Sequence, residues 1–265
     1  MRTEQVATLG EALGLRDRRV VAFTGGGGKT SAMFRLAREL AAEHVLVTTT
    51  TRIWAPRPDQ AALVLAEDLA TARQRLAAGW GRGIRALGTA ITPEGKLAGI
   101  PPAWVADLAR LADRVLVEAD GAAGQPLTAP RAHEPVIPPS AALVVPVAGL
   151  DALGAPLDAA HAHRAPEIAA LTGLPEGALL TAEAIARVLL DPRGNVRGAP
   201  AAAEIVPLVN KVDSADQEHA ARRLAAALLA HGARRVVLAR LGGEPLIVAV
   251  VEAVPAVQLA GEERR

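Results

Sequence analysis

The chain has 265 residues, a formal net charge of +1 and no cysteine. The lack of cysteine excludes disulfides, thiolate zinc sites and a cysteine nucleophile, and the chain cannot carry sulfur or selenium on a thiol of its own. Acidic and basic residues are interspersed, so we expect no broad nucleic-acid-binding surface. No long apolar window and no signal-like N-terminal core are present, and we therefore expect a cytoplasmic protein without a membrane segment.

The first predicted elements are a short helix within residues 1–17 and a buried strand at about 19–23. The strand leads into Gly25, Gly26, Gly27, Gly28, Lys29, Thr30 and Ser31, and a helical pattern follows to about residue 43. This order predicts a phosphate-binding loop, because glycines let backbone N–H groups approach a polyphosphate and the helix N-terminus adds partial positive charge. In such a loop Lys29 contacts the β- and γ-phosphates, and the Thr30 hydroxyl ligates Mg²⁺.

The loop departs from the standard pattern G-x-x-x-x-G-K-[ST], since Phe23 stands where the first glycine belongs. It resembles the shortened loop of Mur-type amide ligases and the deviant loops of metal-insertion GTPases. A glycine-rich turn without a ligand is the alternative, but the flanking strand and helix favour a phosphate loop.

A second buried strand, at 44–51, ends in four threonines. Parallel strands covered on both faces have such continuous apolar runs, and ligands bind at their carboxyl ends. The hydroxyls of Thr49, Thr50 and Thr51 therefore either face phosphate or Mg²⁺, or they reflect only the strand preference of β-branched residues.

Residues 52–113 are predicted to contain a strand at 61–65, a helix at 69–78, strands at 84–91 and 97–100 around a hairpin turn at 92–96, and a helix at 101–112. This segment carries no motif of its own.

The next apolar strand ends in a carboxylate, Glu118, which a phosphate-loop fold needs opposite Thr30 to hold Mg²⁺, usually through water. Glu118-x-x-Gly121 fits a switch motif, in which the glycine N–H senses the γ-phosphate. Asp120 is a second acid that positions the attacking water or binds the metal directly. The alternative is an ordinary strand-to-loop exit.

The proline-rich loop 127–139 contains Arg131, His133 and Glu134. These side chains either sense the nucleotide and contact a substrate or partner, or belong to a plain surface loop.

A strand is predicted at 141–147, and a helical insertion follows at about 150–200, with helices at 165–171 and 181–190. His161, His163 and Arg164 cluster near its start. His-x-His can chelate a metal, but an exposed polar helix start is the favoured interpretation.

A strand at 204–209 leads into Asn210-Lys211-Val212-Asp213, the N-K-x-D pattern that reads guanine in GTPases. The Asp213 carboxylate accepts hydrogen bonds from guanine N1–H and the N2 amino group, which adenine cannot offer. Asn210 braces the loop and the base edge, and the Lys211 stem packs along the base. A helix at 215–231, a strand at 235–239, an edge strand at 246–251 and a polar, frayed tail from Gly261 to Arg265 complete the prediction.

The chain contains only three lysines, Lys29, Lys96 and Lys211, and only two asparagines, Asn195 and Asn210. Lys29, Asn210 and Lys211 all fall in nucleotide-type motifs. Either a geometric requirement or chance in a small sample explains this.

In this order, the segments T-G-G-G-G-K-T, V-T-T-T-T-R-I-W, V-E-A-D-G-A-A-G-Q-P-L, A-P-R-A-H-E-P-V-I-P, V-A-G-L-D-A-L-G and V-N-K-V-D resemble the YqeC-type family over roughly residues 15–250. The resemblance implies an accessory protein of selenium-dependent molybdenum hydroxylases. It implies a nucleotide-hydrolysing factor whose partner is the hydroxylase, its cofactor or a protein of the selenium pathway.

We therefore expect one α/β domain of the P-loop NTPase type over residues 1–265, with a mostly parallel sheet, helices on both faces and the insertion at about 150–200. GTP or ATP binds with Mg²⁺, Arg52 and Arg131 are candidate arginine fingers in cis, and a partner or small molecule binds near Arg131, His133 and His163. Three functions remain open: a GTPase-type maturation factor, an ATP-dependent ligase or kinase for a small molecule, and a non-hydrolysing nucleotide-dependent carrier.

Overall fold

This computed structural model describes residues 2–4, 6–244 and 246–253. The described part of the chain contains fifteen strands and seven α-helices. The strands are β1 (Arg2–Glu4), β2 (Val20–Gly25), β3 (His44–Thr49), β4 (Arg52–Trp54), β5 (Ala62–Leu65), β6 (Gly83–Gly88), β7 (Lys96–Ala98), β8 (Arg114–Glu118), β9 (Leu127–Thr128), β10 (Leu143–Gly149), β11 (Ala162–His163), β12 (Glu204–Ile205), β13 (Leu208–Asn210), β14 (Arg235–Ala239) and β15 (Ile247–Glu252). The helices are α1 (Leu9–Ala12), α2 (Lys29–Glu39), α3 (Leu69–Ala77), α4 (Trp104–Leu108), α5 (Ala165–Thr172), α6 (Ala182–Leu190) and α7 (Ala215–Ala230).

One large sheet runs in the order β1-β15-β14-β13-β10-β2-β8-β3-β6-β5, with β12 beside the start of β10. From β14 to β5 neighbouring strands are parallel, whereas β15 and β1 add two antiparallel steps at one edge. The predicted α/β fold with a mostly parallel sheet is thus confirmed. Because β2 lies between β10 and β8, its carboxyl end meets the ends of both neighbours.

Both faces of the sheet are buried, which explains the continuous apolar runs of the central strands. Side chains alternate between the faces of β2: Phe23 packs with Met33 and Leu36 of α2, and Ala22 packs on the opposite face with Leu108 of α4. A third cluster joins α5, α6 and α7 to the sheet. The alternation fixes which β2 residues face α2.

Side-chain caps account for where several helices begin. Thr8 and Glu11 form a capping box at α1, and Asp68, Thr181 and Ser214 each accept a hydrogen bond from a first-turn N–H of α3, α6 and α7. In contrast, α2 begins after Gly28 without a side-chain cap. Its first N–H groups are left for another partner.

Several predicted boundaries are wrong. The hairpin predicted around 92–96 is present: Thr92 N–H donates to the Lys96 carbonyl over 2.7 Å, and an antiparallel bridge joins Ile91 and Leu97. However, β6 ends at Gly88, and β7 pairs antiparallel with β4. It does not pair with β6, because both edges of β6 are already paired with β3 and β5. Helix α4 covers only part of the predicted 101–112, and Pro207, which lacks an N–H, separates β12 from β13.

The edge of the large sheet that β1 and β15 form also differs from the prediction. Within residues 1–17 the helix begins only at Leu9, and β1 precedes it. Since β1 pairs with β15, β15 is not the edge strand that we predict at 246–251.

The predicted insertion at about 150–200 contains a 3-10 turn (Leu150–Ala152), β11, α5 and α6. No helix in the described ranges combines the length and apolar character needed to cross a bilayer. The tail from Gly261 to Arg265, for which we predict frayed structure, lies outside the described residues.

Replacing Phe23 by glycine restores the standard glycine pattern but removes a side chain that is fully buried in the core. We expect Phe23→Gly to lower the free energy of unfolding by at least about 3–5 kcal/mol, because it leaves a cavity and adds backbone entropy to the unfolded chain. Urea unfolding measures the loss, with Phe23→Leu as the milder control. An unchanged free energy would contradict the assignment of Phe23 to the core.

Candidate functional site

The glycine-rich loop after β2 is held against its neighbours by its own first amides. Gly25 N–H donates to Asp120 Oδ2 over 2.7 Å, Gly26 N–H donates to the Val147 carbonyl over 2.8 Å, and Gly27 N–H donates to the Gln125 carbonyl over 2.9 Å. These three amides therefore anchor the loop. The N–H groups that remain for a ligand are those of Gly28 and of the first turn of α2.

Close backbone approach requires glycine at the loop positions. A Cβ at Gly27, whose φ is 69°, would lie 2.0 Å from Gly149 N, and a Cβ at Gly25 would lie 2.3 Å from the Val147 carbonyl oxygen. A Cβ at Gly28 would lie 2.5 Å from Asn210 Nδ2. Any larger residue would push the loop away from the carboxyl ends of β10 and β13.

Three charged side chains are buried together under the loop. Lys29 Nζ lies 3.0 Å from Asp120 Oδ1 and 3.7 Å from Glu118 Oε1, with the lysine side chain 3% exposed. Lys29 Nζ also donates to the Gly25 carbonyl. Thr30 Oγ1 donates to Glu118 Oε2 over 2.6 Å. The structure thus brings together the lysine, hydroxyl and two acids that the sequence predicts.

Burial and charge act in opposite directions on these groups. Burial would lower the pKa of Lys29, but the charges of Asp120 and Glu118 outweigh it, and the pKa lies above its usual value. Burial raises the pKa of both Glu118 and Asp120, and the charge of Lys29 only partly offsets this rise. The ammonium group therefore favours the ionised form of both desolvated carboxyls.

The donor set at Thr30 fits a magnesium ion. The Thr30 hydroxyl and the Glu118 carboxylate are adjacent oxygen donors, the kind that Mg²⁺ prefers. Asp120 is less suited, because its oxygens are engaged by Gly25 N–H and Lys29. In the described part of the chain no group of three or more His, Asp or Glu residues could hold a metal by itself.

Asn210, at the end of β13, bridges the glycine loop to the next strand connection. Its Nδ2 donates to the Gly27 carbonyl over 2.8 Å, and its Oδ1 accepts from Leu241 N–H over 3.0 Å. The predicted bracing of the loop is present. Lys211 has a left-handed backbone with φ 67° and its Nζ pairs with Asp151 Oδ2 over 2.5 Å. The exposed Asp213 carboxylate lies 3.5 Å from Arg240 Nε.

A cleft of about 440 Å³ opens in front of these groups. Its lining includes Gly27, Gly28, Lys29, Thr30, Ser31, Glu118, Gly121, Asn210 and Lys211, with Arg52, Trp54 and Lys96 opposite. Four of the residues predicted to bind nucleotide or metal, all within the described ranges, do not line it: Gly25, Gly26, Asp120 and Asp213. The cleft therefore begins at the α2 N-terminus, with the earlier glycines behind its wall.

Thr49 and Thr50 do not direct their hydroxyls at this cleft. Thr49 Oγ1 donates to the Glu118 carbonyl over 2.8 Å, and Thr50 Oγ1 donates to the Val136 carbonyl over 2.7 Å. Backbone carbonyls of the adjacent β8 and of the loop after it are the nearer acceptors. These contacts favour the strand interpretation for both threonines, and a role at phosphate or Mg²⁺ stays a prediction.

A second cavity of about 600 Å³ adjoins the cleft. Its lining includes Arg131, His133, Glu134 and His163, as well as Arg52 and Lys96, which it shares with the cleft. His161 is separate and pairs with Asp158. Arg164 also differs from the prediction: its side chain is 8% exposed, pairs with Glu134 and donates to the Ala129 carbonyl, so it supports the loop from inside.

Sequence reasoning misses two residues near the site, Lys96 and Asn195. Lys96 lines both cavities, and its Nζ lies 5.2 Å from the ring centroid of Trp54. Asn195 is fully buried, and its Nδ2 lies 3.0 Å from where a Cβ of Gly25 would stand. The scarcity of lysine and asparagine is a signal that could have found Lys96 and Asn195.

Comparison with known proteins gives two matches. The profile described as YqeC protein matches residues 21–166, which include the glycine loop and Glu118 but end before Asn210. The Uncharacterized protein YqeC of Escherichia coli (strain K12) is 30% identical over 239 residues, covering 86% of this chain and 90% of that protein. No solved structure matches the chain.

Removing the charge of Lys29 leaves Glu118 and Asp120 buried without their cation. We expect Lys29→Met to lower the free energy of unfolding by about 3–5 kcal/mol near pH 8. We expect a smaller loss near pH 5. A carboxyl whose pKa is higher in the folded protein than in the unfolded chain destabilises the fold increasingly as pH rises from the unfolded pKa, about 4, toward the folded pKa. Urea unfolding at both pH values measures this, and a loss independent of pH would contradict it.

Proposed function

The chain belongs to the YqeC family, and we propose that it is a P-loop nucleotide-binding protein that hydrolyses GTP, or else ATP, with Mg²⁺. The observation that carries the proposal is the meeting of Lys29, Thr30 and Glu118 beneath the uncapped N-terminus of α2. A helix N-terminus, a lysine and a hydroxyl beside a carboxylate are together the parts that bind a Mg²⁺-polyphosphate.

The phosphates bind at the first-turn N–H groups of α2, and Lys29 is the cation that meets them. In the ligand-free arrangement the Lys29 ammonium is balanced by Asp120 and Glu118. A polyphosphate offers the same ammonium a stronger negative partner at the cleft surface.

Thr30 and Glu118 would hold Mg²⁺, which when bound neutralises negative charge on the β- and γ-phosphates. Asp120 fixes the Gly25 N–H and so the loop, and this is the role we assign to it in place of water activation. Gly121 lines both cavities, where its N–H can sense a γ-phosphate. Positioning and charge neutralisation supply most of the rate in such reactions.

Guanine is the proposed base, because N-K-x-D follows β13 beside the loop. Asn210 binds the Gly27 carbonyl, Lys211 lines the cleft, and the exposed Asp213 carboxylate is available to guanine N1–H and N2. An incoming base displaces only the 3.5 Å contact of Asp213 with Arg240.

As the role of this hydrolysis we propose the one that the family resemblance implies: maturation of a molybdenum hydroxylase or of its selenium-containing cofactor. Because GTP and ATP are cytoplasmic nucleotides, we place this function in the cytoplasm. A ligase or kinase acting on a small molecule is the second candidate, favoured by the second cavity that shares Arg52 and Lys96 with the cleft.

Lys29→Ala should abolish nucleotide turnover, because it removes the cation that contacts the phosphates. Phosphate release from GTP and from ATP with Mg²⁺ measures this. Arg38→Ala, at an exposed position of the same helix, is the matched control. Thr30→Ala keeps the buried ion pairs and should lower turnover and raise the Mg²⁺ concentration that turnover needs, because it removes a metal ligand. Turnover unchanged in both Lys29→Ala and Thr30→Ala would overturn the proposed site.

Asp213→Asn should weaken GTP binding and favour xanthosine triphosphate, since the amide reverses one hydrogen-bond polarity at the base. A bidentate contact of this kind contributes about 1–3 kcal/mol of discrimination. Competition binding of GTP, ATP and xanthosine triphosphate measures the change, with Asp216→Asn as the nearby exposed control. Equal affinities in wild type and Asp213→Asn would remove the guanine assignment.

A further inference from the structure

The second cavity lies beside the nucleotide cleft and shares a wall with it. Arg52, Lys96, Gly121 and Ala123 line both spaces. The volume of about 600 Å³ falls within the range of about 300–1,000 Å³ that small-molecule sites occupy. The cavity is therefore large enough for a compact metabolite and adjoins the place where a γ-phosphate would lie.

Positive charge dominates the lining of this cavity. Arg52, Lys96 and Arg131 carry permanent charges, and His133 and His163 lie with them. Burial, and next the charge of Arg164, lower the pKa of His163, which favours its neutral, hydrogen-bonding ring. Among the described lining residues the one carboxylate is Glu134, which Arg164 neutralises.

The cations reach the cavity from separate segments that two small sheets hold in place. Arg52 lies in β4 and Lys96 in β7, and these strands pair with each other. His163 in β11 pairs with Thr128 in β9, just before the loop that carries Arg131. Like charges repel one another, so a fold that directs them at a single space suits an anionic ligand.

The loop that carries Arg131 and His133 is anchored from inside the protein. The Arg164 side chain is 8% exposed and pairs with Glu134, whose side chain is 11% exposed. Arg164 Nη1 also donates to the Ala129 carbonyl over 3.1 Å, and Arg197 donates to the Arg131 carbonyl. These contacts fix the backbone of the loop and leave the Arg131 and His133 side chains at the cavity.

We propose that the second cavity binds a small molecule that carries a phosphoryl group and holds it beside the γ-phosphate end of the nucleotide cleft. A doubly charged phosphate monoester matches three permanent cations, whereas a single arginine satisfies a carboxylate. Arg52 and Lys96 border both spaces, so they reduce the repulsion between the two anions. The inference rests on the proposed function, since it takes the adjoining cleft as the nucleotide site.

The test is calorimetric titration of the full chain with phenyl phosphate after saturation with Mg²⁺ and a non-hydrolysable GTP analogue. Near pH 7.5 the second phosphate proton, with a pKa of about 6, is removed. We expect one equivalent to bind, at least about tenfold more tightly than benzoate. Arg131→Ala combined with His133→Ala should weaken binding at least about tenfold, and Arg73→Ala, an exposed arginine of α3, should not.

Absence of phenyl phosphate binding, equal affinity for benzoate, or an equal loss in Arg73→Ala would each overturn the proposal. The analogue is titrated first into every variant, so that only saturated samples are compared. If the analogue does not bind wild type, the proposed function fails. The same titration of nucleotide-free protein then decides on the second cavity alone, because Arg131 and His133 lie outside the cleft lining.

Discussion

The burial of Lys29 between Glu118 and Asp120 is the interaction on which the rest of the site depends. A desolvated charge is costly unless it is paired and hydrogen-bonded, so the lysine at the start of α2 and the acids at the end of β8 hold each other in place. Asp120 extends the constraint to Gly25 N–H, which sets the path of the glycine loop. The loop, the helix and the strand exit therefore form one unit.

Stability alone does not explain why these charges are retained. Replacing a buried ion pair by apolar side chains of similar volume is often neutral or stabilising. The pKa values of Glu118 and Asp120 remain raised even beside Lys29, so the cluster is incompletely compensated and suited to exchange partners. The proposed polyphosphate at the α2 N-terminus would accept hydrogen bonds from the uncapped N–H groups and would give Lys29 a new partner.

The sequence predicts the features that depend on residues close together along the chain, and it misses those that depend on residues far apart. Continuous apolar runs and the glycine-rich loop predict β2, α2 and β8, and the rule that parallel strands end at one edge brings Thr30 and Glu118 together. The pairing of β4 with β7 joins residues more than 40 positions apart through three-residue strands, and no local pattern identifies it. The same holds for the Arg164–Glu134 pair, where two charged residues become buried only because the loop and α5 meet.

These long-range pairings determine the chemistry around the cleft. With β4 and β7 apart, Arg52 and Lys96 would be surface cations on unrelated loops; as a small sheet they stand between the two cavities. The proposed nucleotide in the cleft would draw on the same charges that face the second cavity, so occupancy of one would change the potential in the other. Energetic coupling between the two proposed sites would then follow from two shared cations, without movement of the large sheet.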